Sequence, residues 1–189
     1  RGITVSGATN QIILTGTAGE PFAVTAVTAP APGTLAAVTT AAVTIGDELD
    51  AIVAENGDWY GLTLVSRTKL TILHAAAWIE TQPRILVAQS SDADILTTAN
   101  TDVAYDLEQL GYTRTALLYY PTNGTYADMA WLANRLAADL DVQQTVWYSV
   151  TLVGVTPTSS LSETQKANVL NKNANLYLTQ GGFGSTGDG

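Results

Sequence analysis

The chain has no cysteine, one histidine, one methionine and two phenylalanines among 189 residues, and only 13% of its residues are charged. Without cysteine there is no disulfide, no thiolate nucleophile and no zinc–thiolate centre. Lys and Arg number eight and are scattered singly. With a net charge of −9, no basic stripe exists to neutralise a phosphate backbone, so nucleic acid is not expected as a partner. No apolar run approaches the ~20 residues that span a bilayer as a helix, so no membrane partner is expected either. What is abundant is Ala, Thr and Val, with 46% of residues hydrophobic. Such a chain can build a core, and its weakly charged surface is cheap to desolvate, which suits extensive contacts between subunits; an ordinary acidic soluble protein fits the same composition equally well.

The first part, residues 1–57, reads as a small β-rich subdomain. Residues 3–6, 11–15, 22–28 and 34–44 are rich in Val, Ile and Thr, and Pro30-Ala31-Pro32-Gly33 supplies a turn. A helix follows over 45–56, with Asp47, Glu48 and Asp50 expected in its first turn, where the helix dipole favours negative charge. That placement explains the three acids without a metal ion.

From residue 58 to 189 the pattern changes to alternating strands and helices. Strands are expected over 60–66, 84–89, 113–120, 145–153 and 176–179. The helix over 68–81 has Leu70, Leu73, Ala76, Ala77 and Glu80 at helical spacing and stops before Pro83. A second, starting at Asp94 or Asn100, ends at Leu110 with Gly111 as its stop and Val103, Leu107 and Leu110 on one face. After the turn Pro121-Thr122-Asn123-Gly124, a helix over 125–140 offers Met129, Leu132, Ala133, Leu136 and Leu140 as core positions. Ser162 and Gln165 have capping-box spacing for a helix through Asn171. Strands joined by helices of this length imply an α/β domain: a largely parallel or mixed sheet with packed helices.

Few residues offer chemistry. His74 falls inside a helix beside three alanines, and no Gly-x-Ser-x-Gly elbow exists, so a catalytic triad is excluded and a packing or surface role is expected. Asp92-Ala93-Asp94 lies beyond an apolar strand, where paired carboxylates could hold magnesium for phosphoryl transfer; it superficially resembles the acidic pair of haloacid-dehalogenase-like phosphatases. There the pair follows its strand directly, whereas here Gln89-Ser90-Ser91 intervenes and Ile95-Leu96 follows. The competing expectation makes Ser91 an N-cap with Asp92 and Asp94 in the first helical turn. Asn123-Gly124-Thr125 matches a glycosylation sequon but reads better as a turn, and the glycines over 181–189 lack the lysine of a phosphate loop and read as a flexible connection. Trp59, Trp78, Trp131 and Trp147, with Tyr119, Tyr120 and Tyr148, could stack a ligand, although their places in expected strands and helices favour core packing. No catalytic, cofactor-binding or metal-binding residue is assigned, and no cofactor is expected.

The order of several short motifs carries more information than any one of them. Asp58-Trp59-Tyr60-Gly61-Leu62, Ala75-Ala76-Ala77-Trp78-Ile79-Glu80, Gln89-Ser90-Ser91-Asp92, Gly111-Tyr112-Thr113-Arg114-Thr115, Ala130-Trp131-Leu132, Gly154-Val155-Thr156-Pro157, and Leu161-Ser162 through Asn171-Lys172-Asn173-Ala174-Asn175 form the series. Taken together it resembles the contractile-tail sheath proteins of bacteriophages. The resemblance implies a virion structural protein rather than an enzyme, assembled in the host cytoplasm. Its partners would be other sheath subunits, the tail tube and the baseplate, and it would move as a rigid body when contraction drives the tube through the host envelope. It also implies terminal arms beyond both ends of this sequence, without which the piece is expected to stay monomeric. The readings from other classes are a phosphate-handling α/β enzyme using Asp92 and Asp94, or a noncatalytic binding domain.

Overall fold

A computed structural model describes residues 4–8, 11–15, 44–137, 147–180 and 183–187. The chain divides into two compact units, Arg1–Ala54 and Glu55–Gly189.

In the first unit, strand β1 (Thr4–Ala8) pairs antiparallel with β2 (Gln11–Thr15), Thr4 opposite Thr15 and Ala8 opposite Gln11. The strands expected over 22–28 and 34–44 and the Pro30–Gly33 turn lie, Thr44 apart, outside the described residues. Helix α1 (Ile45–Glu55) begins with a reciprocal cap: Thr44 donates its N–H and its hydroxyl to Asp47 Oδ2, both at 2.8 Å, and Asp47 N–H returns a bond to Thr44 Oγ1 at 3.2 Å. These two donors, the Thr44 N–H first, hold the Asp47 carboxyl below its usual range. Asp47 and Glu48 occupy the first turn as expected; Asp50 lies one turn further on, which corrects that part of the reading.

The second unit is α/β. Five strands, β3 (Gly61–Leu62), β4 (Ile85–Ser90), β5 (Thr115–Tyr119), β6 (Asn175–Gln180) and β7 (Phe183–Gly187), lie side by side in chain order. The first three neighbouring pairs are parallel and β6–β7 is antiparallel, giving a mixed sheet. Helices α2 (Lys69–Ile79), α3 (Val103–Leu110) and α5 (Glu163–Asn171), with a 3-10 helix at Ala93–Leu96, pack in succession along one side; α4 (Ala127–Leu136) packs on β4 and β5. Strand β4 is buried from Leu86 to Ser90 without alternation, as a central strand covered on both faces must be. Val87, Leu118 and Tyr177 join Trp131, Leu132, Val150 and Leu152 in the core under α4.

The helix boundaries follow local chemistry. Thr68 caps α2, Asp102 caps α3, and Ser162 with Gln165 closes a complete capping box on α5. Gly111 ends α3 at φ 63°, the left-handed conformation that glycine adopts most cheaply.

Other expectations are corrected. The buried face of α2 is Ile72, Ala75, Ala76 and Ile79 rather than the stripe through Leu70 and Ala77. In α4 it is Ala127, Asp128, Trp131 and Leu132, leaving Met129 at 48% and Leu136 at 44% exposure. Strand β3 is two residues long instead of seven. Residues 147–153 are not a strand: Ser149 sits at φ 56°, breaking the extended backbone. The segment lies against β7 all the same, with Ser149 N–H donating to Thr186 O at 3.0 Å and Thr186 N–H to Val150 O at 3.2 Å. Its side chains still alternate, Val150 and Leu152 buried, Thr151 and Val153 exposed, which is why it reads as a strand.

The glycine-rich end, expected as a flexible connection, instead supplies β7 over Phe183–Gly187. Gly184 is required there because a Cβ would overlap the Tyr177 hydroxyl and stand 2.8 Å from Pro157 Cγ. Tyr177 in turn receives the Leu152 N–H at 3.1 Å, so it cannot yield freely. Replacing Gly184 by Ala is expected to cost about 1–3 kcal/mol through overpacking, read as a lower urea midpoint with an unchanged slope.

Candidate functional site

In parallel α/β sheets ligands bind beyond the carboxyl ends of the strands. Here that end gathers Arg67 from the loop after β3, Ser90 at the end of β4 with Asp92 just past it, Asn123 from the loop after β5, and Asp128 in the first turn of α4. Arg67 is the hub. Its Nη2 donates to Asp128 Oδ1 at 2.9 Å, its Nη1 donates to Asn123 O, and its guanidinium carbon lies 4.8 Å from the centre of the Tyr126 ring. The side chains of Arg67 and Asp128 are 5% and 1% exposed. Burial pushes the Asp128 carboxyl up, against the opposing pull of Arg67 and of backbone N–H groups.

Gln89, at the end of β4, braces the same region. Its Nε2 donates to Thr122 O and its Oε1 accepts the Ala127 N–H, both at 3.0 Å. Tyr126 makes no side-chain cap for α4, and the Ala127 N–H in the helix's first turn is shared between Thr125 O, at 3.0 Å, and Gln89, 38 positions away.

Asp92 and Asp94 occupy positions set by local bonding. Asp92, not Ser91, is the N-cap of the 3-10 helix, Oδ1 accepting from Asp94 N–H at 3.0 Å, while its own N–H donates to Ser90 Oγ at 3.2 Å. Asp94 Oδ2 accepts the Thr101 hydroxyl at 2.9 Å. Tyr119, at the end of β5, has its phenol pushed up by burial and by the charge on Asp92. Among the described residues no group of three or more His, Asp or Glu side chains is arranged as metal ligands would be.

A second buried pair ties the helical layer together. Lys172 Nζ donates to Asp102 Oδ2 at 2.6 Å and to Asp94 O at 3.0 Å; Asp102 Oδ1 accepts the Tyr105 N–H at 3.0 Å; Asn168 Nδ2 reaches Leu96 O at 2.9 Å. Beside it a shallow cleft of about 70 Å³ is lined by Leu107, Tyr112, Thr115 and Lys172, far below the ~300 Å³ of an ordinary small-molecule site.

His74 is partly buried in α2. The four tryptophans pair two by two: Trp59 and Trp78 stack at 6.1 Å with Arg84 4.4 Å over Trp59, and Trp131 meets Trp147 edge-on at 5.7 Å while its Nε1 donates to Trp147 O. Asn123 and Gly124 form the expected turn.

Sequence reasoning missed Arg67, Gln89, Asp102, Asp128 and Lys172. The local sequence does not mark the two cations: Arg67 stands between Ser66 and Thr68 with Lys69 close by, and Lys172 stands between Asn171 and Asn173.

No protein-family model matches the chain, and no curated protein matches it.

Proposed function

We propose that this chain is the outer α/β part of a contractile tail sheath subunit, a body carried rigidly while neighbouring subunits slide and rotate during contraction. The observation that carries the reading is the ordered motif series from Asp58-Trp59-Tyr60-Gly61 to Asn173-Ala174-Asn175. Cross-bracing supports it. Buried ion pairs and side-chain-to-backbone bonds join the loops after β3, β4 and β5 and lock α3 and α5 to the 3-10 helix, so force on one element passes to the others without local rearrangement. The test is electron microscopy of the gene's complete product: regular hollow tubes are expected, and only discrete particles across salt and concentration would overturn the proposal.

The phosphate-handling enzyme is favoured by one observation, the position of Asp92 and Asp94 just past the carboxyl end of β4. It requires magnesium to raise the melting temperature through these two carboxylates. The sheath reading expects no such shift, and expects the double replacement by Asn to cost about 1 kcal/mol, the worth of a cap. Thermal denaturation with and without magnesium decides between them.

A further inference from the structure

We infer that Asn123 is a site of spontaneous deamidation, and that the fold singles it out from the chain's other Asn-Gly pair, Asn56-Gly57. All four residues are exposed, so access to water does not distinguish the pairs. Their hydrogen bonds do. Asn56 Oδ1 accepts the Asp58 N–H at 2.8 Å, a side-chain turn that fixes the amide, and Arg84 Nη2 holds the next carbonyl, Gly57 O, at 2.8 Å. The first bond holds the Asn56 side chain in the turn and resists its rotation toward Gly57 N; the second holds the peptide after it.

At Asn123 the side chain itself is not tied. Its side-chain amide makes no hydrogen bond among the described residues, and neither does the Gly124 N–H. Beyond its two chain neighbours no atom lies within 4 Å of the position a Cβ on Gly124 would take, so the turn is open on that side. Arg67 Nη1 donates to Asn123 O, the carbonyl of the peptide whose nitrogen must react. A cation on that oxygen draws electron density from the amide and makes the Gly124 N–H more acidic.

The reaction is self-contained apart from water. Gly124 N gives its proton to solvent base and attacks Asn123 Cγ; the Cγ–Nδ2 bond breaks and ammonia leaves, closing a five-membered succinimide. Water then opens either carbonyl, yielding aspartate or isoaspartate. Each product places a new negative charge in the turn held by Arg67, and isoaspartate adds a methylene to the main chain there.

The experiment is peptide mapping by mass spectrometry of the intact protein aged at mildly alkaline pH, folded and in denaturant. For each asparagine the deamidation rate in the fold is divided by its own rate in the unfolded chain. That quotient is expected to be several-fold larger at Asn123 than at Asn56, and Gly124→Ala is expected to suppress the Asn123 product. Equal quotients, or a larger one at Asn56, would overturn the inference.

Discussion

Replacing Asp102 by Ala is expected to destabilise the protein by about 3–5 kcal/mol, because it strands a charge that is almost wholly shielded from water. The Asp102 and Lys172 side chains are 0% and 8% exposed and 2.6 Å apart, and Asp102 also caps α3. Three variants separate these effects. Asp102→Asn keeps a capping oxygen for the Tyr105 N–H and removes only the charge, so its deficit measures the unpaired Lys172 ammonium. Lys172→Met removes the partner and leaves a buried carboxylate with one donor. The double variant Asp102→Asn/Lys172→Met carries neither charge, and its loss is expected to fall well short of the two single losses added together, since apolar replacement of a whole buried pair is often nearly neutral. Urea denaturation of the four proteins gives the cycle. Strictly additive losses would show that Lys172 and Asp102 act independently and that the bracing between α5 and α3 lies elsewhere. The exposed pair Lys166–Glu163, with Glu163 at 90% exposure, provides the contrast: its loss should be barely measurable.

The pattern of what was legible follows from the range of the forces involved. Helix ends are decided within one turn, and the Ser162–Gln165 box and the Gly111 stop were both visible as spacing. The short apolar run within the strand expected over 84–89 gave β4, observed at Ile85–Ser90, for the same reason. Helix faces are decided by distant partners. The sequence of α2, Lys69-Leu70-Thr71-Ile72-Leu73-His74-Ala75-Ala76-Ala77-Trp78-Ile79, is apolar nearly all round, so several phases fit equally well and the sheet chooses among them. In α4 the apolar stripe through Met129 and Leu136 is the better periodic match, yet Asp128 faces inward because Arg67, 61 residues earlier, meets it there. Strand β7 was hidden by its composition, since Gly184 and Gly187 lower strand propensity, and only the crowding around Tyr177 makes a glycine there a requirement. The same reasoning explains the site. Asp92 and Asp94 stand out in the sequence as an acidic pair, whereas the groups that organise the loops are single charges far apart in the chain.

The Arg67–Asp128 pair should reveal itself through pH. Burial raises the Asp128 carboxyl above its ordinary value of 3.8 even with Arg67 beside it. A carboxyl whose folded pKa exceeds its unfolded one binds more protons folded than unfolded, so its contribution is greatest below the unfolded value and declines as pH rises through the interval up to the raised value. Removing the guanidinium deletes the strongest opposing pull. In Arg67→Met, Asp128 is then pushed further up, the interval widens, and the variant's deficit relative to the wild type grows with pH. It is expected to be smallest at the acidic end, near pH ~4, and to grow toward about 3–5 kcal/mol, roughly the loss from breaking a buried pair, near pH ~7. Asp128→Asn has the opposite dependence. It leaves Arg67 without its counter-ion at every pH, but it does not titrate, so its deficit relative to the wild type narrows as pH rises. Urea midpoints of the three proteins between these limits test both slopes. Parallel curves would mean that Asp128 does not change its protonation on folding, and that the loops after β3 and β5 are held by the Arg67–Asn123 bond and the Tyr126 ring instead.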